Sequence, residues 1–292
     1  MTPLLDATFR RKLDLLEVVA RKVLGGELRG ERRTKHRGPG SLFAEHRSYS
    51  PGDDLRYLDW NVYGRFGTLM TKEFEGEGHL RLVLLVDASR SMAFGDPSKL
   101  DHARRIAAAL GYLALRNSEA VTLVVLEEGA AGVSTFRGSA KVPALFAALE
   151  RIEARGTTRL ADSVRAAMPA VKRGGIAVLL SDFLDPAGFA PALDPLFHRR
   201  LRTFALQVTT PQEEEPPLHG AVRLIDAEDG RARAIEITPR ILAAYREAVR
   251  RHARQIAGYC VRREMSHAKV STATPFDEAV LGLLRRGETL LR

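Results

Sequence analysis

The chain has 292 residues, 45% hydrophobic and 28% charged, with 45 Lys and Arg against 36 Asp and Glu for a formal net charge of +9. That is the composition of a folded globular chain, one large α/β domain or two smaller ones, and it excludes wholesale disorder, collagen and coiled coil. The lone cysteine, Cys260, excludes an internal disulfide and a Cys-rich zinc site. No apolar run reaches the ~18 residues of a transmembrane helix. Arg10, Arg11 and Lys12 follow a very short apolar stretch instead of preceding a long one, so the start does not read as a signal peptide. A cytoplasmic protein is expected.

Residues 8–24 space Leu13, Leu16, Val19 and Val23 along one helical face, and Gly25-Gly26 ends the pattern. Residues 29–52, basic and then rich in Gly, Pro and Ser, read as loop. Leu82–Val86 is a continuous apolar run, the mark of a strand buried on both faces of a parallel sheet. Asp96-Pro97 then reads as a cap followed by proline at the first helical position. The helix after it presents Leu100, Ala103, Ile106, Ala107, Leu110 and Leu113. Strands follow at 121–126 and 132–136, helices at 141–152 and 159–171, a strand at 176–180, a helix at 189–199 and a strand at 203–208. Pro211–Pro217 reads as an acidic surface loop. Residues 222–225 and 234–237, joined through Asp229-Gly230, read as a β-hairpin. A helix at 240–259, a strand at 268–271 and a helix at 275–286 complete the chain.

Strands alternating with helices predict an α/β fold built on a doubly wound, mostly parallel, Rossmann-like sheet. An N-terminal helical and loop extension covers 1–79. The α/β domain covers 80–292, with its core at 80–210 and the hairpin insertion, helix and strand in 211–292.

In such sheets, sites form beyond the carboxyl ends of the strands where strand order reverses. The first buried strand ends in Asp87-Ala88-Ser89-Arg90-Ser91 and the next apolar strand in Ser181-Asp182. Between them, Gly156-Thr157-Thr158 leads into a helix. Alternate residues leaving a strand end can turn Asp87, Ser89 and Ser91 toward one ion, with Thr158 and Asp182 joining from neighbouring loops. Carboxylate and hydroxyl oxygens suit Mg²⁺ or Mn²⁺ better than zinc or copper. Two carboxylates balance a divalent charge and leave a position open for a partner's carboxylate. Asp185 and Ser181 are further neighbours, and Thr157 is the alternative helix cap.

At this point the sequence resembles known families. Asp-x-Ser-x-Ser with a loop Thr and a later strand-end Asp is similar to the metal-ion-dependent adhesion site (MIDAS) of von Willebrand factor A (vWA) domains. The segment Arg47-Ser48-Tyr49-Ser50-Pro51-Gly52-Asp53-Asp54-Leu55-Arg56-Tyr57-Leu58-Asp59-Trp60 resembles the signature of the bacterial "domain of unknown function 58" proteins. The stretches from Gly64-Arg65 to Lys72-Glu73-Phe74-Glu75 and from His267 to Phe276 resemble the same family. The resemblance implies a vWA-like fold, an interaction role and, by family association, a MoxR-type AAA+ ATPase or its client as partner. Within the signature, Pro51-Gly52 fits a type II turn. Arg47, Asp53, Asp54, Arg56, Asp59 and Arg65 have the density of an ion-pair network, Tyr49 lies among them, and Trp60 would be an apolar anchor. A partner-recognition surface is the alternative.

Enzymatic readings find less support. Gly-x-Ser-x-Gly, a P-loop and Gly-x-Gly-x-x-Gly are all missing. Asp87 as a phosphatase nucleophile competes, although such enzymes place a second acid where Ser89 stands. The other competitor is nucleic-acid or polyanion binding through the basic segment 29–37 (Arg29, Arg32, Arg33, Lys35, Arg37), which requires affinity to fall steeply with salt.

Overall fold

The computed structural model describes residues 6–24, 33–36, 42–49, 58–77, 81–228 and 230–291. The chain divides into two units, one joining Met1–Ala20 to Leu80–Arg292 and the other comprising Arg21–His79.

In the larger unit, the apolar run after residue 81 forms β4 (Arg81–Asp87), buried from Leu82 to its end. Beside it lie β5 (Ala120–Glu127), β6 (Ala130–Arg137), β7 (Ile176–Ser181), β8 (Arg202–Thr209) and β11 (Ser266–Ser271). The sheet order is β11-β8-β7-β4-β5-β6, parallel except for the antiparallel edge strand β6. Strand order therefore reverses at β4, between β7 and β5, where a doubly wound sheet opens a crevice.

Alternation along β4 sends successive side chains to opposite faces. Val83 and Leu85 join a core with α5 (Leu160–Ala167), α6 (Ala190–His198) and α8 (Pro239–Arg262), through Leu160, Val164, Leu193 and Ile256. The other face carries α3 (Lys99–Arg116), α4 (Val142–Glu150) and α9 (Phe276–Leu291). There, Leu84 approaches α3 at Gly111, beside Leu145 of α4. The amphipathic helix α1 (Ala7–Leu24) adds to this layer, with Phe9 meeting Phe146 edge-on at 6.0 Å and Phe276 at a tilt at 4.7 Å. Lys12 pairs with Asp277 at 2.7 Å. Among the described residues, no helix is long and apolar enough to cross a membrane.

Gly175 turns the chain into β7 with φ +104°, where a Cβ would stand 2.5 Å from the backbone oxygen of Arg81. Neither chain can yield without moving a central strand. Gly175→Ala is expected to cost about 1–3 kcal/mol in chemical unfolding, the range for a strained backbone position; an unchanged midpoint contradicts this.

Two local expectations are corrected. Asp96-Pro97 does not start α3. Its peptide bond is cis, and the helix begins at Lys99, with the Ser98 hydroxyl accepting from the Asp101 N–H at 3.0 Å. Ser98-Lys99-Leu100-Asp101 is itself a cap pattern, and it lies closer to the apolar face than Asp96 does. The segment 211–217 is not wholly loop. Thr210 and Glu213 form a reciprocal capping box that starts the short helix α7 (Pro211–Glu214). The hairpin forms as β9 (Gly220–Ile225) and β10 (Ala232–Ile237), a two-stranded sheet of its own.

The smaller unit corrects the reading of 29–52 as loop. β1 (Arg33–His36) and β2 (Leu42–Ser48) both pair antiparallel with β3 (Met70–Glu77). Their hydrogen-bond partner arrives some twenty to forty residues later, so local composition could not announce them. Between β2 and β3 lies the short helix α2 (Trp60–Phe66).

Candidate functional site

The carboxyl ends of β4 and β7 lie side by side at the reversal of strand order, with Val86 paired to Leu180. Asp87 follows Val86 and is 2% exposed. Its Oδ1 accepts from the Ser89 N–H at 3.0 Å, and its Oδ2 accepts from the Ser181 hydroxyl at 2.5 Å. These bonds fold the Ser89–Ser91 loop back over the strand end, where a 3₁₀ turn covers Arg90–Ala93. The Ser89 and Ser91 hydroxyls then lie 3.1 Å apart, and Ser91 donates to Asp182 Oδ2 at 2.8 Å.

The structure thus joins Asp87, Ser89, Ser91 and Asp182 in one hydrogen-bonded chain. Thr158 stands apart from it. Its loop touches the serine loop, the Arg90 N–H donating to the Gly156 oxygen at 3.2 Å. Its own hydroxyl and N–H, however, donate to the Glu228 carboxylate, the N–H at 3.1 Å. Thr157 does not cap α5. Asp185 does that work, accepting from the Leu160 N–H at 2.7 Å. Ser181 braces Asp87 and accepts from the Phe183 N–H at 2.9 Å.

Sequence reading missed three partners. Lys99 is 0% exposed, with its ammonium 2.7 Å from Asp182 Oδ2 and paired also with Glu213. The signal was available, because Lys99 precedes Ala103 by four and Ile106 by seven residues and so shares their buried face. Glu213 was passed over with its segment, although Thr210-x-x-Glu213 is a capping-box pattern. Glu228 sits at the hairpin tip and nothing local marks it; only the tertiary fold brings it to Thr158.

The electrostatics follow from burial. Removal from water pushes the Asp87 carboxyl up to about 6, and the Asp182 charge adds to the rise, while hydrogen bonds from Ser181 and Ser89 hold it back. Burial pulls Lys99 down, but the Asp182 and Glu213 carboxylates outweigh it and hold the ammonium above its ordinary value. The expected charge balance is therefore modified, since Asp182 already shares a cation with Glu213.

The donor set fits a hard divalent ion. An octahedral ion with oxygens at about 2.0–2.1 Å has edges of about 2.9 Å. The Ser89–Ser91 and Ser91–Asp182 separations, 3.1 and 2.8 Å, are hydrogen-bond lengths that are also compatible with such edges. Burial, with the Asp182 charge beside it, raises the Asp87 carboxyl, so a cation at this point would favour its ionised form.

The signature residues are placed separately. Arg47 lies on β2 in register with Thr71, and the Tyr49 N–H donates to the Leu69 oxygen at 2.9 Å. Asp53, Asp54, Arg56 and the Pro51-Gly52 turn lie outside the described residues, as do Arg29, Arg32 and Arg37; Arg33 and Lys35 lie on β1. Asp59 is buried and caps α2, accepting from Asn61 and Val62. Trp60 is not an apolar anchor: it is 63% exposed and meets Tyr63 edge-on at 6.3 Å. It is the first residue of α2, directly after the buried Asp59 cap.

Residues 45–255 match the family described as "Protein of unknown function DUF58". The uncharacterized protein Rv1480 of Mycobacterium tuberculosis is 31% identical over 265 residues, 86% of this chain and 81% of the relative. Among solved structures, BatB from Bacteroides thetaiotaomicron aligns with a TM-score of 0.44 at 14% identity, covering 73% of this chain and 98% of BatB. The SpRpn10 VWA domain aligns at 0.40 and 10% identity, over 70% of this chain and 94% of that one. The family match over most of the chain and the mycobacterial identity agree: this chain belongs to the DUF58 family.

Proposed function

We propose that the chain is a non-enzymatic, metal-dependent protein-interaction module. Mg²⁺ or Mn²⁺ would be held by oxygens of Asp87, Ser89, Ser91 and Asp182, with Thr158 on the neighbouring loop, and would supply an electrophilic position for an acidic side chain of a partner. The observation that carries this reading is the convergence of the Ser89, Ser91 and Asp182 oxygens in one linked set beside a buried carboxyl at a sheet switch point. The non-enzymatic part is supported by the sequence, in which Gly-x-Ser-x-Gly and a P-loop are missing and Ser89 stands where a phosphatase places its second acid. A MoxR-type AAA+ ATPase or its client, met in the cytoplasm, is the partner class that the family resemblance implies.

The test is an Mn²⁺ titration of the metal-free chain by calorimetry. One binding event per chain is expected, weakened at least tenfold in Ser91→Ala. A MoxR-type ATPase from the same genome is expected to co-purify in Mg²⁺ but not in EDTA. Absence of Mn²⁺ binding, or binding indifferent to Ser91, overturns the metal reading.

A further inference from the structure

The hairpin tip places a carboxylate on Thr158, on the loop that touches the serine loop. Glu228 Oε2 accepts from the Thr158 N–H at 3.1 Å, and Oε1 accepts from the Thr158 hydroxyl. The Glu228 backbone oxygen lies 3.4 Å from Nη1 of Arg90, the residue between the two site serines. Thr158 is 5% exposed and Glu228 is half-buried, so this contact is partly sheltered from water. The tip is braced to present the acid: the Glu228 N–H donates to Asp226 Oδ1 at 2.8 Å, and the Asp226 N–H donates to the Arg231 oxygen at 2.9 Å.

The rest of the hairpin is lightly held. β9 and β10 pair with each other and join neither larger sheet. Leu224 and Ile225 are 42% and 67% exposed. A two-stranded hairpin has marginal stability of its own, so its position depends heavily on what its tip grips.

We propose that Glu228 is the chain's own acidic ligand for this site. Docked on Thr158 and Arg90, it occupies the place of a partner's carboxylate, and a partner gains the site by displacing the hairpin. The partner feature that fits is an exposed turn bearing a glutamate, the chemistry the tip itself presents. This inference rests on the reading that the site receives a carboxylate.

The probe is a fluorescent peptide with the sequence of residues 223–233, added to the full chain in Mg²⁺ and followed by anisotropy. The Glu228→Ala chain is expected to bind it at least tenfold more tightly than the parent, and a peptide with glutamine at the 228 position is expected to bind neither. Equal affinity for parent and variant overturns the proposal, as does equal binding of the glutamine peptide. A glutamate that only steadies the Thr158 loop predicts a lower unfolding midpoint for Glu228→Ala and no peptide binding; that outcome also overturns it. Mn²⁺ titration of the same two chains separates the failures. Mn²⁺ binding without peptide binding overturns the internal ligand and leaves the metal site standing. Peptide binding that persists in EDTA with no Mn²⁺ uptake overturns the metal reading and leaves Glu228 as the ligand of Thr158 and Arg90.

Discussion

Lys99→Met is expected to lower stability in EDTA by about 3–5 kcal/mol, the usual cost of removing one partner from a buried charge pair. The side chain is 0% exposed, and methionine fills nearly the same volume, so packing loss is small and the electrostatic term dominates. Without the ammonium, Asp182, itself 2% exposed, faces Glu213 and Asp87 with no cation among them. A divalent ion at Ser89, Ser91 and Asp182 would restore that charge. Mg²⁺ is therefore expected to recover much of the loss in Lys99→Met, and to stabilise the parent less. Urea midpoints with and without Mg²⁺ measure both effects. The double variant Lys99→Met with Asp182→Asn should lose less than Lys99→Met alone, since the orphaned carboxylate goes with its partner. A single variant as stable as the parent in EDTA would show that Lys99 does not neutralise the site.

The sheet was legible because its strands announce themselves. Leu82–Val86 and 176–180 are apolar runs with no polar interruption, and 203–208 is interrupted only by Thr203 and Gln207; each became a buried strand near its expected ends. The strand-end groups were legible for the same reason: once the strand is placed, the position of Asp87 beyond it follows. What escaped was non-local. β1 and β2 consist largely of polar residues, and their pairing strand lies far along the chain. Glu228 is 70 residues from Thr158, and Glu213 is 114 from Lys99, separations that no periodicity reports. Trp60 was misjudged because a large apolar residue in a charged segment invites burial, whereas it opens the short helix α2, none of whose residues is buried. Lys99 differs, because its place on the buried face of α3 could be read from spacing. Expecting lysine on the surface hid it, since a buried lysine needs partners whose positions were not yet known.

Asp87→Asn is expected to separate stability from metal binding. In the parent, the folded chain holds the Asp87 proton to about 6, whereas the unfolded chain releases it near 3.8. Between those values the folded state binds more protons, so this group's contribution to stability falls as pH rises through that window and stays low above it. Asparagine removes the titration while retaining an acceptor for the Ser89 N–H and a donor toward the Ser181 oxygen. The difference between the two chains should therefore be small near pH 4 and favour the variant above pH 6 in EDTA. The ceiling is roughly 3 kcal/mol at about 1.4 kcal/mol per pH unit, less about 1 kcal/mol for the rearranged hydrogen bond to Ser181. Mg²⁺ reverses the order. An ion that binds only the folded parent adds stability in proportion to RT ln(1 + [L]/Kd), and the asparagine chain, lacking the charge, gains little. Urea unfolding of both chains at about pH 4.5 and 7.5, each with EDTA and with Mg²⁺, yields the four differences. A variant less stable than the parent at pH 7.5 in EDTA would mean that Asp87 is valued for its hydrogen bonds more than it is penalised for its charge. The serine loop would then be held in place without any call for a cation.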